Sequence, residues 1–147
     1  MSEFVQHNIA IVGLGLIGGS IARGLREALP GITIIAVDHD QRALDAAVAD
    51  GVVDTRASLA DAAGQADLMV LATPPLVIEA LLPELAEAAG AELVVSDVGS
   101  AKAHIMSRVD QLASDLRSRF VPGHPIAGSE QSGYSASRGN LFAGRNV

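Results

Sequence analysis

Cysteine is absent from the 147-residue chain, which excludes disulfides, cysteine-ligated zinc and thiol catalysis. Tryptophan is absent as well, and aromatic residues make up only 3%. Alanine, valine, leucine and isoleucine must therefore fill the interior. That suits a parallel sheet under alanine-rich helices better than a sandwich with aromatic plugs. Charge is scarce, at 18% of residues against 49% hydrophobic, so the composition is that of a chain with a real core. Positive charge is scarcest, and the net charge is −7. Phosphate contacts along nucleic acid need clustered Lys and Arg, so no nucleic-acid partner is expected. An anionic small molecule stays possible, because a local loop can bind one whatever the net charge. A membrane span is also missing. The apolar stretch 9–22 is short and glycine-rich, and Arg23 and Arg26 close it. No basic region precedes it as in a signal peptide. No membrane partner and a cytoplasmic location are the resulting expectations.

What is present is an alternation of strand and helix within one domain, residues 1–147. Ile9-Ala10-Ile11-Val12 reads as a buried strand. Residues 17–29 form a helix with Ile17, Ile21 and Leu25 at four-residue spacing, stopped by Pro30-Gly31. The β-branched run 32–37 is a second strand ending at Asp38, and 41–49 is a helix closed by Gly51. Val52-Val53 is expected as a weak third strand. Ser58 is expected to cap a short helix with Asp61 at its fourth position, and 67–72 is a fourth strand. Pro74-Pro75 opens a helix whose buried stripe is expected to be Val77, Leu81, Leu82 and Leu85. Pro83 should kink or break it. After a fifth strand at 93–96, one long helix is expected to bury Ile105, Val109, Leu112 and Leu116. Phe120-Val121 is a short sixth strand, and a glycine-rich loop region follows. The fold class expected is α/β: a Rossmann-type, doubly wound, mostly parallel sheet with helices on both faces. Gly144-Arg145-Asn146-Val147 reads as the start of a strand, so the chain is expected to continue.

The first motif is Gly13-Leu14-Gly15-Leu16-Ile17-Gly18, between a strand and a helix. In that context Gly13 permits a tight turn, Gly15 lets the backbone approach a pyrophosphate, and Gly18 lets the helix pack close to the strand. Leu16 and Ile17 contribute the first helical N–H groups, where an anion is favoured. Asp38 ends the second strand about twenty residues beyond Gly18, where a carboxylate can accept from ribose hydroxyls and would repel a 2′-phosphate. NAD is therefore favoured over NADP. Asp38 could also be merely a solvated strand end, and His39 and Arg42 nearby could weaken the discrimination.

Ligands in such sheets lie beyond the carboxyl ends of the strands. Ala72-Thr73-Pro74-Pro75 follows the fourth strand, and Thr73 and Pro74 could wall in a ribose and nicotinamide or simply start a helix. Asp97-Val98-Gly99-Ser100-Ala101-Lys102 follows the fifth. Ser100 is expected to be an N-cap whose hydroxyl could also reach a substrate oxygen. Lys102 is oddly placed in a first helical turn, so it could serve an anion or be simply solvated. Gly123-His124-Pro125-Ile126-Ala127-Gly128-Ser129-Glu130 holds His124 between rigid residues, as befits a general base, although a loop histidine is usually just exposed. No metal-ligand cluster appears.

Together these segments resemble the prephenate and arogenate dehydrogenases of tyrosine biosynthesis. The matching stretches are 11–20, Ala72-Thr73-Pro74-Pro75, Asp97 to Lys102 and Gly123 to Glu130, spread from the first strand to the last loop. The glycine loop is shared by many dehydrogenases; the Ser100 and His124 segments are the specific ones. The resemblance implies NAD-dependent oxidative decarboxylation of prephenate to 4-hydroxyphenylpyruvate, or of arogenate to tyrosine. It implies that His124 draws a proton from the C4 hydroxyl, that Ser100 contacts the same hydroxyl, and that Ser129 and Glu130 line the substrate entrance. It also implies a C-terminal helical domain, absent here, that dimerises the full-length protein and supplies the arginine for the ring carboxylate. Without it, this chain is expected to bind NAD but to turn over poorly. Two other readings stand beside this one: another dehydrogenase of the superfamily, such as a β-hydroxyacid dehydrogenase or an imine reductase, or a non-catalytic nucleotide-binding module.

Overall fold

The computed structural model describes residues 8–112, 115–125 and 131–144. Six parallel strands form one sheet: β1 (Asn8–Val12), β2 (Thr33–Val37), β3 (Thr55–Arg56), β4 (Leu68–Leu71), β5 (Val94–Asp97) and β6 (Phe120–Pro122). Their order across the sheet is β3-β2-β1-β4-β5-β6. The order reverses between β1 and β4, the switch point at which α/β sheets open a crevice. The register makes that crevice continuous. Val37, Val12, Leu71, Asp97 and Pro122 lie in one row across the sheet, so the segments that follow all leave along one edge.

Five helices cover the two faces: α1 (Leu16–Ala28), α2 (Gln41–Ala49), α3 (Leu59–Gln65), α4 (Pro75–Ala88) and α5 (Lys102–Asp110). Alternation along the strands sorts the core. In β1, Ile9 and Ile11 pack with Leu14, Ala22, Ala43 and Leu44 of the α1–α2 side. Ala10 and Val12 face the other way, into Met69, Leu71, Ile78, Leu82, Val95 and Ile105 under α3–α5. Aliphatic and alanine side chains thus build both cores, as the lack of aromatics requires.

Five expectations are corrected. Val52 and Val53 are buried but form no strand. Their N–H groups donate to the Ala47 carbonyl (3.1 and 3.2 Å), and the Gly51 N–H donates to Val48 (3.0 Å), with Gly51 at φ +72°. This is a Schellman cap on α2, which uses the donors a strand would need. The ladder with β2 starts only at Asp54, whose N–H reaches the Ile34 carbonyl. Second, α4 runs through Pro83 without a break. The proline removes one backbone bond, while burial of Ile78, Leu82 and Leu85 holds the helix together. Third, the stripe of α4 is those three residues. Val77 is 42% exposed and Leu81 half-buried, for a reason given below. Fourth, the long helix is divided: α5 ends at Asp110, and a 3-10 turn at Asp115–Arg119 buries Leu116. Asp110 sits unfavourably at a helix C-terminus and turns to Arg117 instead. Fifth, Ser100 does not cap α5; Ala101 occupies that position with no side-chain cap. The expected cap at Ser58 forms, its Oγ accepting the Asp61 N–H at 3.1 Å.

Candidate functional site

The glycine loop turns where β1 meets β4. Gly13 has φ +96°, and a Cβ there would lie 2.9 Å from the Ala72 carbonyl oxygen and the Thr73 Cγ2. Its N–H donates to Val37 (2.8 Å), which ties the loop to β2. A Cβ on Gly18 would overlap the Gly13 carbonyl oxygen, so α1 crosses the loop as closely as backbone permits. Gly15 differs: nothing lies within 4 Å of the place its Cβ would take. It begins α1 with no side-chain cap and no acidic residue in the first turn. The first N–H groups of α1 therefore face open space with a partial positive charge, a cradle shaped for a phosphate.

Asp38 stands beside this cradle, its side chain 12% exposed. The Leu14 N–H donates to Oδ2 (2.7 Å) and the Asp40 N–H to Oδ1 (2.8 Å). Asp38 is thus neither idle nor purely a ligand group: it braces the glycine loop. Oδ1 also faces the His39 Nδ1 at 3.5 Å, and Oδ2 keeps a second lone pair for a hydroxyl donor. Next to it lies a cleft of about 340 Å³ walled by Val37, Asp38, His39, Thr73, Pro74, Val77 and Leu81. Val77 belongs to this cleft rather than to the core, and Leu81 divides its side chain between the core and the cleft.

A second cleft, about 470 Å³, lies across the glycine loop. Gly15, Ala72, Thr73 and Pro74 border both clefts, so one trough runs past the phosphate cradle. Leu16, Ile17, Val98, Gly99, Ser100, His124, Pro125, Ser132 and Gly133 line the second part. Every candidate residue of the cofactor set, together with Ser100 and His124, therefore belongs to the loop, the trough or both. Ser100 and His124 are both exposed. The Thr73 Oγ1 is buried and lacks a hydrogen-bond partner among the described residues. Ser129 and Glu130 lie outside the described residues. His39 and His104 are exposed, their side chains at 102% and 64%.

The trough has the chemistry of a nucleotide site: an apolar compartment, a phosphate cradle and a second compartment that carries Ser100 and His124. Comparison with known proteins gives the family. Residues 21–147 match the family model described as prephenate dehydrogenase, nucleotide-binding domain. The chain belongs to that family. It is 39% identical over 140 residues to a prephenate dehydrogenase of Bacillus subtilis (strain 168), covering 94% of this chain and 38% of that one. The structure of prephenate dehydrogenase from A. aeolicus in complex with hydroxyphenyl propionate and NAD+ superposes with a TM-score of 0.87. Identity is 30%, over 98% of this chain and 50% of that one. Synechocystis arogenate dehydrogenase superposes with a TM-score of 0.83 at 34% identity, over 94% of this chain and 48% of the other. The chain thus spans between about two fifths and half of the relatives it matches.

Two groups in this nucleotide-binding domain escaped sequence reading. Asp97, at the end of β5, is fully buried; its Oδ2 accepts the Gly99 N–H (2.9 Å) and pairs with the Lys102 ammonium. That carboxylate is the anion Lys102 serves. Tyr134 is the other. It is 6% exposed in the α1–α2 core, and its hydroxyl donates to Asp50 Oδ2 (2.9 Å) at the end of α2. The Arg23 guanidinium lies 4.7 Å over its ring and also binds Asp50 and Ser137. The Arg138 N–H donates to the buried Ser20 Oγ (3.0 Å), and Gly19 has no room for a Cβ against Tyr134 and Ser137. The segment after the His124 loop is thereby strapped to the flank of α1. Burial and the Asp50 bond push the Tyr134 phenol up to about 12, while the Tyr134 and Arg23 bonds lower Asp50. The available signal was the chain's single tyrosine, because a buried tyrosine needs a partner for its hydroxyl.

Proposed function

We propose that this chain is the NAD-binding half of an enzyme that oxidatively decarboxylates prephenate or arogenate. The observation that carries the reading is the single trough in which the glycine cradle, Asp38, Ser100 and His124 all stand. Family membership and the resemblance of the Ser100 and His124 segments support it. The cradle at Gly13, Gly15 and Gly18, with the first N–H groups of α1 at Leu16 and Ile17, holds the pyrophosphate. Asp38 accepts from the ribose hydroxyls of NAD and repels the 2′-phosphate of NADP. Val77 and Leu81 offer apolar surface to the adenine ring, and Thr73 and Pro74 border the passage to the nicotinamide end. The bound cofactor supplies a hydride acceptor.

The chain's own residues do the rest. His124 accepts the proton of the substrate's C4 hydroxyl as the hydride leaves C4, so that C4 becomes a carbonyl carbon. Ser100 binds the same oxygen and orients it. Loss of the ring carboxylate as carbon dioxide sends the electron pair of the broken C–C bond into the ring. The ring becomes aromatic, and the oxygen regains its proton. Ser129 and Glu130 line the substrate entrance. The full-length protein adds a helical domain that supplies a cation for the ring carboxylate and a dimer contact. Among the described residues no helix is long and apolar enough to cross a membrane.

The test is the rise of the reduced-nicotinamide absorbance when the full-length protein meets each cyclohexadienol with each cofactor. Turnover of prephenate or arogenate with NAD+, lost in His124→Asn while NAD+ still binds, is the expected result. Binding of NAD+ with neither substrate oxidised would leave a nucleotide-binding module instead.

A further inference from the structure

We infer that Asp97 is a positioning residue: its buried carboxylate, balanced by Lys102, holds the Gly99–Ser100 turn so that the Ser100 hydroxyl stands in the trough. The inference rests on the reading of Ser100 as a substrate contact and deepens it.

Asp97 continues the inward alternation of β5, after Val95, on the face covered by α4 and α5. Its side chain is 0% exposed. One oxygen takes the Gly99 N–H and the Lys102 ammonium; the other, Oδ1, is buried with no hydrogen-bond partner among the described residues. Removing a carboxylate from water is unfavourable even when a lysine balances it, and an apolar residue of similar size would stabilise this face more. A charge kept in so poor a place, at a strand end bordering a cleft, points to work at the cleft.

The geometry says what that work is. A Cβ on Gly99 would meet Ile105 Cδ1 at 2.6 Å, Asp97 Oδ2 at 3.0 Å and Ile78 Cδ1 at 3.3 Å. The turn is therefore pressed directly onto the carboxylate and the core beneath it. No side chain caps α5, so the turn has no other polar side-chain support from the helix start. Ser100, one residue beyond Gly99, is exposed and lines the same cleft as His124. Lys102, its side chain 28% exposed, returns from the first turn of α5 to neutralise the carboxylate.

Four variants of the full-length protein separate this role from a merely stabilising ion pair. Asp97→Asn and Asp97→Asn/Lys102→Met keep an acceptor for the Gly99 N–H. Asp97→Ala and Asp97→Ala/Lys102→Met do not. Because a displacement of about 1 Å can slow chemistry a hundredfold, the alanine variants are expected to lose at least about tenfold in kcat. Asp97→Asn/Lys102→Met, neutral yet still accepting, is expected to stay within about threefold of wild type. The dissociation constant for NAD+ should hold in all four, since Asp97 lies outside the phosphate cradle. Equal kcat in the two double variants, or a kcat that follows melting temperature alone, would overturn the inference. Amide exchange at Gly99 in this 147-residue chain gives a readout that needs no turnover. Protection in wild type and Asp97→Asn but not in Asp97→Ala supports the inference, and an unprotected wild-type amide refutes it. Protection at Gly99 without turnover by the wild-type protein would instead count against the proposed activity.

Discussion

Replacing Asp38 with alanine tests whether this residue serves the ribose alone or also the loop. The substitution removes the acceptor for the Leu14 N–H (2.7 Å) and the Asp40 N–H (2.8 Å). Leu14 is 2% exposed, so its amide cannot turn to water. A hydrogen bond to a charged group contributes about 1.5–3 kcal/mol, and an orphaned buried donor keeps its full desolvation penalty. Asp40 is exposed, and its amide rehydrates with little loss. The sum is about 2–3 kcal/mol, nearly all from Leu14. For a domain of this size that lowers the melting temperature by roughly 4–12 °C. Thermal unfolding followed by circular dichroism, with no nucleotide present, is the assay. Asp38→Asn keeps one acceptor oxygen and should lose less. If Asp38→Ala melts with wild type while losing NAD+ affinity, the carboxylate acts only on the ligand and the bracing role is wrong. If the bracing role is right, a substitution meant to admit NADP by removing this charge also loosens the phosphate cradle.

The glycines separate binding from folding. Gly15→Ala places its Cβ in open space, so it should leave the melting temperature within a degree or two while weakening NAD+ by about tenfold or more, read by calorimetry. Gly18→Ala drives its Cβ into the Gly13 carbonyl and should destabilise the fold by about 1–3 kcal/mol, read by urea unfolding. Tyr134 is the only tyrosine and no tryptophan is present, so alkaline absorbance titration reports it alone. Its midpoint is expected near 12 in the folded chain and near the ordinary 10.0 in denaturant. Because the folded-state value is raised, the protonated phenol's contribution to stability is complete below the unfolded value and disappears as pH rises through about 12. Tyr134→Phe should let the Asp50 carboxyl rise toward its usual range, seen by NMR titration, because its largest lowering bond is gone.

What was legible in the sequence follows from local chemistry. The span Gln41–Ala49 is readable because Gly51 forces a left-handed residue after the helix, and Asp40 caps its start by accepting from Arg42 and Ala43. The glycine loop is readable because Gly13 and Gly18 have no room for a side chain, while Gly15 leaves the space in front of the helix start open. Val52 and Val53 mislead because β-branched residues suit a strand, while the competing use of their N–H groups in the α2 cap appears only in three dimensions. Val77 misleads for another reason: apolar periodicity does not distinguish a side chain facing the core from one facing an open cleft. Ser100 has the composition of a helix cap, yet the buried Asp97 three residues earlier takes over the support of that turn. Tyr134 and Arg23 lie far apart in sequence, and nothing local announces that they stack and share the Asp50 carboxylate.

Calorimetric titration of this chain with NAD+ and with NADP+ reads the cofactor preference of the trough. One site per chain is expected, with NAD+ bound at least about tenfold more tightly than NADP+ because Asp38 opposes the 2′-phosphate. Equal or tighter binding of NADP+, or no binding of either by the folded chain, would contradict that expectation.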